Sequence, residues 1–98
     1  MVFEWDAAKN EKNIDKHGID FEDAIGIFAG PVLERPDDRR DYGEPRFIAF
    51  GVFDEREIAV VYTIRGTRRR IISARRASKD ERKAYRDTYP KPSTPRQN

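Results

Sequence analysis

Residues 46–77 decide the fold, and they read RFIAFGVFDEREIAVVYTIRGTRRRIISARRA. Two runs rich in Phe, Ile and Val are followed by a third that mixes apolar residues with arginine, and short polar or glycine-containing segments separate them. Such runs are typical of neighbouring antiparallel strands. We therefore predict three strands, at 46–53, 57–65 and 68–77, joined by turns at 54–56 and 66–67.

The pairing of the last two strands depends on the loop at Gly66 and Thr67. A two-residue loop pairs Arg65 with Arg68, whereas a longer loop shifts every pair by one residue. Because side chains alternate between the two faces of a sheet, such a shift changes which arginines share a face. The sequence therefore identifies an arginine cluster without fixing its geometry.

The residues before these strands predict two helices. A short extended start at 2–5 leads to Asp6, a suitable N-cap, and the first helix ends at Gly18. A second helix begins after Asp20, and a short strand at 31–35 follows it. The second helix carries a core-facing stripe formed by Phe21, Ala24, Ile25 and Phe28.

Ser78 and Glu81 predict where the last helix begins. They have the spacing of a capping box, so a helix should cover residues 79 to 88 and end before Pro90. Grouped strands with helices before and after them indicate an α+β domain whose helices pack on one face of a small antiparallel sheet. We expect one domain at 1–89, with two N-terminal helices and one C-terminal helix. Residues 90–98, PKPSTPRQN, predict a disordered Pro-rich tail.

The composition excludes several classes of protein. The 98-residue chain has no cysteine, so disulfides and thiolate metal sites are ruled out. No apolar run approaches the roughly 20 residues of a membrane span, and the first residues lack the basic region of a signal peptide. We therefore expect a cytoplasmic protein.

Charge is distributed unevenly along the chain. Residues 1–64 hold 8 basic and 15 acidic side chains, whereas residues 65–98 hold 12 basic and 3 acidic ones, which together give the net charge of +2. A basic last third on a nearly neutral chain favours either a face for a polyanion or a solvated charged surface. Charge alone does not decide between the two.

The segment 65–76, RGTRRRIISARR, is the strongest candidate for binding phosphate. Six of its twelve residues are arginine and none is acidic. A sheet that projects several guanidinium groups would form a phosphate clamp, because arginine binds phosphate oxygens in a bidentate fashion. The alternative is that some of these arginines pair with the acids of residues 1–64. The six are Arg65, Arg68, Arg69, Arg70, Arg75 and Arg76.

Cleavage of RNA without a metal needs proton transfer as well as cations. A base must take the proton of the ribose 2′-hydroxyl, and an acid must protonate the departing 5′-oxygen. His17 is the only histidine and shares a helix face with Lys9 and Asn13, although a histidine at a helix end also serves as a cap. The other proton-transfer candidates are Lys9, Glu55, Glu81 and Tyr85; Glu81 is also the capping-box acid, and Tyr85 also suits packing.

No metal or cofactor is expected from the sequence. One histidine and no cysteine exclude the usual zinc ligand sets. The acids at 34–44 lack the ordered spacing of a calcium loop, and Gly26 and Gly30 form no phosphate-binding loop.

Two long motifs of the chain resemble the BrnT family of bacterial toxins. The opening motif comprises Phe3-Glu4-Trp5-Asp6, Lys9, Asn13 and Lys16-His17-Gly18-Ile19, with Phe21-Glu22. The later motif comprises Val60-Val61-Tyr62-Thr63 and Arg70-Ile71-Ile72-Ser73-Ala74-Arg75-Arg76-Ala77, followed by Glu81 and Tyr85. Together the motifs cover about residues 2–86, nearly the whole expected domain.

The resemblance implies a fold, an activity and a partner. BrnT proteins have a RelE-like fold and act as ribonucleases that inhibit translation, and the larger RelE group cuts RNA without a metal. Each BrnT protein pairs with a BrnA antitoxin, which binds DNA and represses the shared operon. Operator DNA is therefore an expected partner only through the antitoxin.

The resemblance also implies roles for individual residues. The matching positions imply a catalytic set made of His17, Glu55, Arg65, Arg75 and Lys9. We expect further RNA contacts from Arg68, Arg69, Arg70, Arg76 and Lys16.

Two other functions could use the same arginine-rich strand. A non-catalytic module would bind RNA or operator DNA with a steep dependence on salt and would cleave nothing. A pure interaction protein would use its basic face to hold an acidic partner and would not bind RNA alone. Fragmented RNA after induction of the protein would separate the enzyme from both alternatives.

Overall fold

The computed structural model describes residues 1–90, which form a five-stranded mixed sheet and three helices. The strands are β1 (Val2–Glu4), β2 (Leu33–Pro36), β3 (Phe47–Phe53), β4 (Arg56–Arg65) and β5 (Arg68–Arg76). The helices are α1 (Ala7–His17), α2 (Phe21–Ala24) and α3 (Lys79–Thr88), and a 3₁₀ turn at Ile25–Ala29 continues α2. None of the helices within residues 1–90 is long and apolar enough to cross a membrane. The predicted tail beyond Pro90 lies outside the described residues.

The strand order is β1-β5-β4-β3-β2, and β2 to β5 pair antiparallel in sequence order. β1 is the exception, because it pairs parallel to β5, with Val2 opposite Arg68. The prediction of an antiparallel sheet is therefore wrong at this edge. A parallel pair needs a long connection, and here the helices and the other strands supply it.

The three strands predicted from residues 46–77 are confirmed as β3, β4 and β5, with each end within one residue of its predicted position. The loop at Gly66 and Thr67 has two residues, so Arg65 lies opposite Arg68. Gly66 has a φ of +62°, the left-handed conformation that favours glycine in such a loop. The shorter of the two possible hairpin loops is therefore the one that forms.

The second predicted helix is shorter than expected. α2 ends at Ala24, and the chain tightens into the 3₁₀ turn, which changes the spacing from about 3.6 to about 3.0 residues per turn. Ile27 is therefore buried, whereas Ile25 and Phe28 of the predicted stripe are only partly buried. Ile27 packs on Gly51 of β3, where an added Cβ atom would lie 2.7 Å from the Ile27 Cβ.

The sheet has two covered faces, which we name after the helices that pack on them. The α2 face carries Val60 and Tyr62 and packs on Phe21 of α2 and on the 3₁₀ turn. The α3 face carries Val61 and packs on Tyr85 of α3. The prediction that all helices share one face is therefore wrong, because α3 closes over the opposite side from α2.

A β-bulge in β5 decides which face each later side chain occupies. The register of β4 and β5 shifts between Val61 and Tyr62, which leaves Ile72 of β5 without a partner. Because side chains alternate, this extra residue moves every following side chain to the other face. Arg75 consequently lies on the α3 face and Arg76 on the α2 face.

The edge of β5 beyond β1 is completed by a side chain instead of a strand. Asn13 of α1 is buried, and its amide donates a hydrogen bond to the Ala74 carbonyl (2.9 Å) and accepts one from the Ala74 N–H (3.1 Å). The amide also donates to the Ile19 carbonyl (2.9 Å). Asn13 thus satisfies three backbone groups and fixes α1 beside β5.

α3 is attached to β5 through the carboxylate of Glu81. It accepts hydrogen bonds from both terminal nitrogens of Arg75 (2.7 and 3.0 Å) and a third from the Ser78 N–H (2.7 Å). The capping box and the helix predicted after Ser78 are confirmed. The Arg75 hydrogen bonds are the largest cause that lowers the pKa of Glu81 to about 2.

We expect Asn13→Ala to lower the free energy of unfolding by about 2–4 kcal/mol, because each buried backbone group that loses its partner costs about 1–3 kcal/mol and water replaces part of the loss. Urea unfolding measures the change. Glu11→Ala, on an exposed position of the same helix, is the matched control and should change stability by at most about 0.5 kcal/mol. Equal stability of the two variants would contradict the role of Asn13.

We expect Glu81→Gln to lower stability at neutral pH by about 1–3 kcal/mol, because charged hydrogen bonds to Arg75 are lost. The folded pKa of Glu81 lies below its ordinary 4.5, so its contribution is complete above pH 4.5 and disappears as the pH falls towards 2. In thermal melts, the melting temperature of the variant should therefore fall less steeply with decreasing pH than that of the wild type. Asp80→Asn, at the neighbouring exposed carboxylate, should keep the wild-type slope; an unchanged slope in Glu81→Gln would refute the linkage.

Candidate functional site

Three grooves meet around residues 72–76, and we call this region, with the side chains around it, the β5 end. The edge groove, of about 230 Å³, runs along α1 and includes Ile72 and Ser73. The turn cleft, of about 140 Å³, lies between the end of α1 and the β3–β4 turn and includes Arg76. The α3-face groove, of about 310 Å³, includes Arg75. One short stretch of strand therefore contributes to all three.

The wall of the edge groove is basic. Lys9, Lys12 and Lys16 stand at i, i+3 and i+7 of α1, which places them on one face of the helix, and His17 lies next to them. Within residues 1–90, none of these lysines forms an ion pair. Positive charges held on a helix without counter-charges attract an anionic chain such as a phosphodiester backbone.

His17 is half-buried at the last turn of α1 and lines both the edge groove and the turn cleft. Burial is the main cause that lowers the pKa of His17 below its ordinary value of 6.5, and the charges of Lys16 and Arg75 lower it further. The imidazole is therefore neutral at neutral pH and can accept a proton.

The turn cleft adds two more cations beside His17. Arg56 and Arg76 line it, both are exposed, and neither forms an ion pair in the part of the chain that the structure describes. Asp54 of the β3–β4 turn contributes one carboxylate to the same cleft. The cleft therefore extends the positive surface of α1 around the end of the sheet.

The α3-face groove is lined by three arginines and three carboxylates around an apolar floor. Ile48 and Phe50 form the floor, and the Arg35 guanidinium lies over the Phe50 ring at 5.0 Å from its centroid. Arg75 enters the groove while bound to Glu81. Arg75 must therefore release the Glu81 carboxylate before it can bind a phosphate through both terminal nitrogens.

The arginines near the β4–β5 loop are paired with carboxylates. Every pair joins an arginine of residues 65–70 to an acid of residues 1–64, so the pairing alternative raised by the sequence is confirmed for these four. The pairs are Arg65–Glu44 (3.3 Å), Arg68–Glu4 (3.2 Å), Arg70–Glu4 (2.9 Å) and Arg69–Glu34 (3.2 Å). Such partly exposed pairs are weak, but they neutralise much of the charge of the hairpin.

Arg69 is further engaged on the α2 face. Its guanidinium lies over the rings of Phe28 (4.9 Å) and Tyr62 (5.0 Å). The Tyr62 hydroxyl donates a hydrogen bond to Glu34 (2.7 Å), and burial followed by this bond raises the pKa of Tyr62 well above its ordinary range. The network packs the 3₁₀ turn on the sheet, and an RNA contact by Arg69 stays a prediction.

The predicted catalytic set divides between the two ends of the sheet. His17, Lys9 and Arg75 surround the β5 end, and Glu55 lies exposed in the turn beside it with a φ of +63°. Arg65 is the last residue of β4, at the opposite end of the strand from that turn. With a rise of about 3.3 Å per residue, the two lie about 30 Å apart. The predicted RNA contacts divide in the same way. Lys16 and Arg76 lie at the β5 end, and Arg68, Arg69 and Arg70 lie towards the hairpin loop.

Four cations that line the grooves of the β5 end were not predicted from the sequence: Lys12, Arg35, Arg39 and Arg56. The spacing of Lys12 from Lys9 and Lys16 was a usable signal, because all three share a helix face. Arg35 and Arg56 belong to distant segments, and only the strand order brings them to this end of the sheet. No local pattern could have identified them.

The remaining chemical candidates have structural contacts. Tyr85 is buried, and its hydroxyl donates a hydrogen bond to the Pro31 carbonyl (2.9 Å), which fixes α3 to the segment before β2. Glu81 caps α3 and binds Arg75. Among residues 1–90, no three His, Asp or Glu side chains cluster as ligands for a metal ion.

Comparison with known proteins gives one match that covers most of the chain. No individual curated protein matches it. A family model described as the ribonuclease toxin BrnT of type II toxin-antitoxin systems matches residues 5–81, from the residue before the α1 cap to the first turn of α3. This description implies an RNA substrate and an antitoxin partner. The chain belongs to the BrnT family of ribonuclease toxins.

Proposed function

We propose that this chain is a metal-independent endoribonuclease that cuts RNA at the β5 end. One observation carries the proposal: cations without ion pairs within residues 1–90 converge there with a neutral histidine and with Arg75. Those of the edge groove and the turn cleft are Lys9, Lys12, Lys16, Arg56 and Arg76, and Arg35 lies in the α3-face groove.

His17 is the proposed base. Its neutral imidazole takes the proton of the ribose 2′-hydroxyl, and the 2′-oxygen attacks phosphorus to form a 2′,3′-cyclic phosphate. The bond from phosphorus to the 5′-oxygen breaks, and the 5′-oxygen leaves with a proton from an ammonium group of the edge groove, that of Lys9 or Lys16. Glu81 does not serve as this acid, because its lowered pKa keeps it ionised at neutral pH.

Arg75 is proposed to stabilise the charge that develops on the phosphoryl oxygens, and Arg76, on the α2 face, is proposed to contact the RNA. One fixed donor aimed at such a charge is worth a few kcal/mol, or roughly 100-fold in rate. Arg75 exchanges Glu81 for the phosphate, and both ligands match the planar fork of its guanidinium. Glu81 thereby holds Arg75 in an ordered position while the RNA is absent.

The family resemblance supports the rest of the proposal. RNA cleavage in the cytoplasm would inhibit translation, and a BrnA-type antitoxin would neutralise the toxin and bring it to operator DNA. We also propose that residues 1–89 are one toxin domain with a RelE-like fold, in which two helical segments precede the antiparallel meander and one helix follows it. A neighbouring gene for a small DNA-binding protein would support the antitoxin assignment.

We expect His17→Asn to lower the rate of RNA cleavage about 100-fold or more, because it removes the base. The rate of wild-type cleavage, measured in EDTA with antitoxin-free protein, should rise with pH through the pKa of His17, below 6.5, and then level off. The variant should lose this rise while keeping its melting temperature, since Asn also suits a helix end.

Three results would contradict the proposed reaction. Wild-type activity that disappears in EDTA and returns with magnesium would refute the metal-independent reaction. A His17→Asn variant with the full rate and the wild-type pH profile would refute proton transfer by His17. Uncut RNA that binds with a steep salt dependence would favour the non-catalytic module.

Arg75→Ala and Arg65→Ala test which end of the sheet holds the scissile phosphate. Both arginines lie on the α3 face and both bind a carboxylate, so they form a matched pair. We expect Arg75→Ala to lower the cleavage rate roughly 100-fold or more and Arg65→Ala to have a much smaller effect. Thermal melts control for folding. Loss of activity in Arg65→Ala with normal cleavage by folded Arg75→Ala would move the site to the hairpin.

A further inference from the structure

The outer surface of α3 carries a basic stripe that the cleavage site does not use. Its four members stand at i, i+3, i+4 and i+7 and extend over about 10 Å along the helix. They are Lys79, Arg82, Lys83 and Arg86, and together with Asp87 they line one open surface groove. Lys83 and Arg86 have acidic partners, whereas Lys79 and Arg82 form no ion pair within residues 1–90.

The packing of α3 depends on its other side. Tyr85 is buried against the sheet, and Glu81 binds Arg75. In the stripe, the Lys83 and Asp87 side chains are 75% and 65% exposed and pair only with each other (2.8 Å) among the contacts of residues 1–90. Arg86 is the exception in the stripe, because its guanidinium binds the buried Glu57 carboxylate of β4 (2.7 and 3.1 Å). Neutral substitutions at Lys79 and Lys83 should therefore leave the core intact.

The chemistry of the stripe fits a polyanion better than a folded protein. The five side chains that line its groove are all charged, and none is apolar or aromatic. Protein interfaces depend on apolar or aromatic anchors that become buried at their centre. A helix face made of lysine and arginine instead matches the phosphates of a nucleic acid backbone, which release counterions when they are bound.

The stripe also begins next to the β5 end. Lys79 follows Arg76 by three residues, and the Arg82 guanidinium donates a hydrogen bond to the Ala77 carbonyl (2.9 Å). We propose that the outer face of α3 binds the phosphodiester backbone of the same RNA strand that is cut at the β5 end, so that the strand continues from the sheet along the helix. The identification of the polyanion as RNA rests on the proposed ribonuclease function.

Lys83 and Asp87 give a matched pair of variants. Lys83→Gln and Asp87→Asn break the same ion pair, so any structural loss should be similar, but the first removes a positive charge and the second removes a negative one. The probes are two single-stranded 2′-deoxy oligonucleotides, one able to span only the β5 end and one long enough to reach α3 as well. They lack the 2′-hydroxyl and are not cut, so their affinity is measured separately from catalysis.

We expect Lys83→Gln to weaken binding of the long oligonucleotide and Asp87→Asn to strengthen it, while neither changes the affinity for the short one. Lys79→Gln should act like Lys83→Gln, and the slope of log affinity against log salt should become less steep by about 0.7 for each phosphate contact removed.

Three outcomes would overturn the proposal: a shift in the same direction for both variants, an equal effect on the two oligonucleotides, or unchanged oligonucleotide binding with weaker binding of the antitoxin. The last would identify α3 as a surface for an acidic protein. If the wild type leaves the corresponding RNA uncut while the opposite shifts remain, the ribonuclease proposal fails and binding of nucleic acid along α3 stands.

Discussion

The Asn13 amide at Ala74 is the contact on which the arrangement around β5 depends. β1 pairs with only three residues of β5, so the strand beyond it would otherwise present unpaired backbone groups at an open edge. A carboxamide offers a donor and an acceptor in one plane, as a peptide group does, and can take the place of a strand residue. Because Asn13 belongs to α1, the same contact holds Lys9 and His17 beside the last residues of β5.

The bulge at Ile72 is the second constraint. It allows β5 to carry arginines although helices cover both faces of the sheet. If β5 alternated strictly through Ile72, without a bulge, Ala74 would point to the α3 face and the guanidinium of Arg75 would point into the core around Phe21 and Val60. A buried guanidinium without its carboxylate would be strongly unfavourable. With the bulge, the small alanine fills the core and Arg75 reaches Glu81 on the other side.

Much of the fold could be predicted because its signals are local. Apolar runs located the three long strands, and Ser78 with Glu81 located α3. The direction of β1, the early end of α2 and the face that α3 covers depend on packing between distant segments, and no local pattern encodes them. The apolar pair Ile71 and Ile72 breaks strict alternation and was a weak signal of the bulge.

The candidate site, like the fold, could be predicted only in part from the sequence. Residue chemistry and the family motifs selected His17, Lys9 and Arg75, which the fold brings to one end of the sheet. Sequence could not tell which arginines would be neutralised, because the acids that bind the hairpin arginines come from residues 4–44 and reach them only through strand order.

This uneven neutralisation accounts for how a chain of net charge +2 can present a site for a polyanion. Acids from the first two thirds of the chain form ion pairs with the hairpin arginines, so the positive charge of residues 65–98 is not spread evenly over the surface. Lysines of α1 and the last arginine of β5 form no ion pair within residues 1–90, and they line the same two grooves as His17. Their fields attract a phosphate chain, and the charge of Lys16 also adds to burial in disfavouring the protonated form of His17. Lys16 therefore contributes both to the attraction of the substrate and to the readiness of the base, while burial of the imidazole is the main cause of the latter.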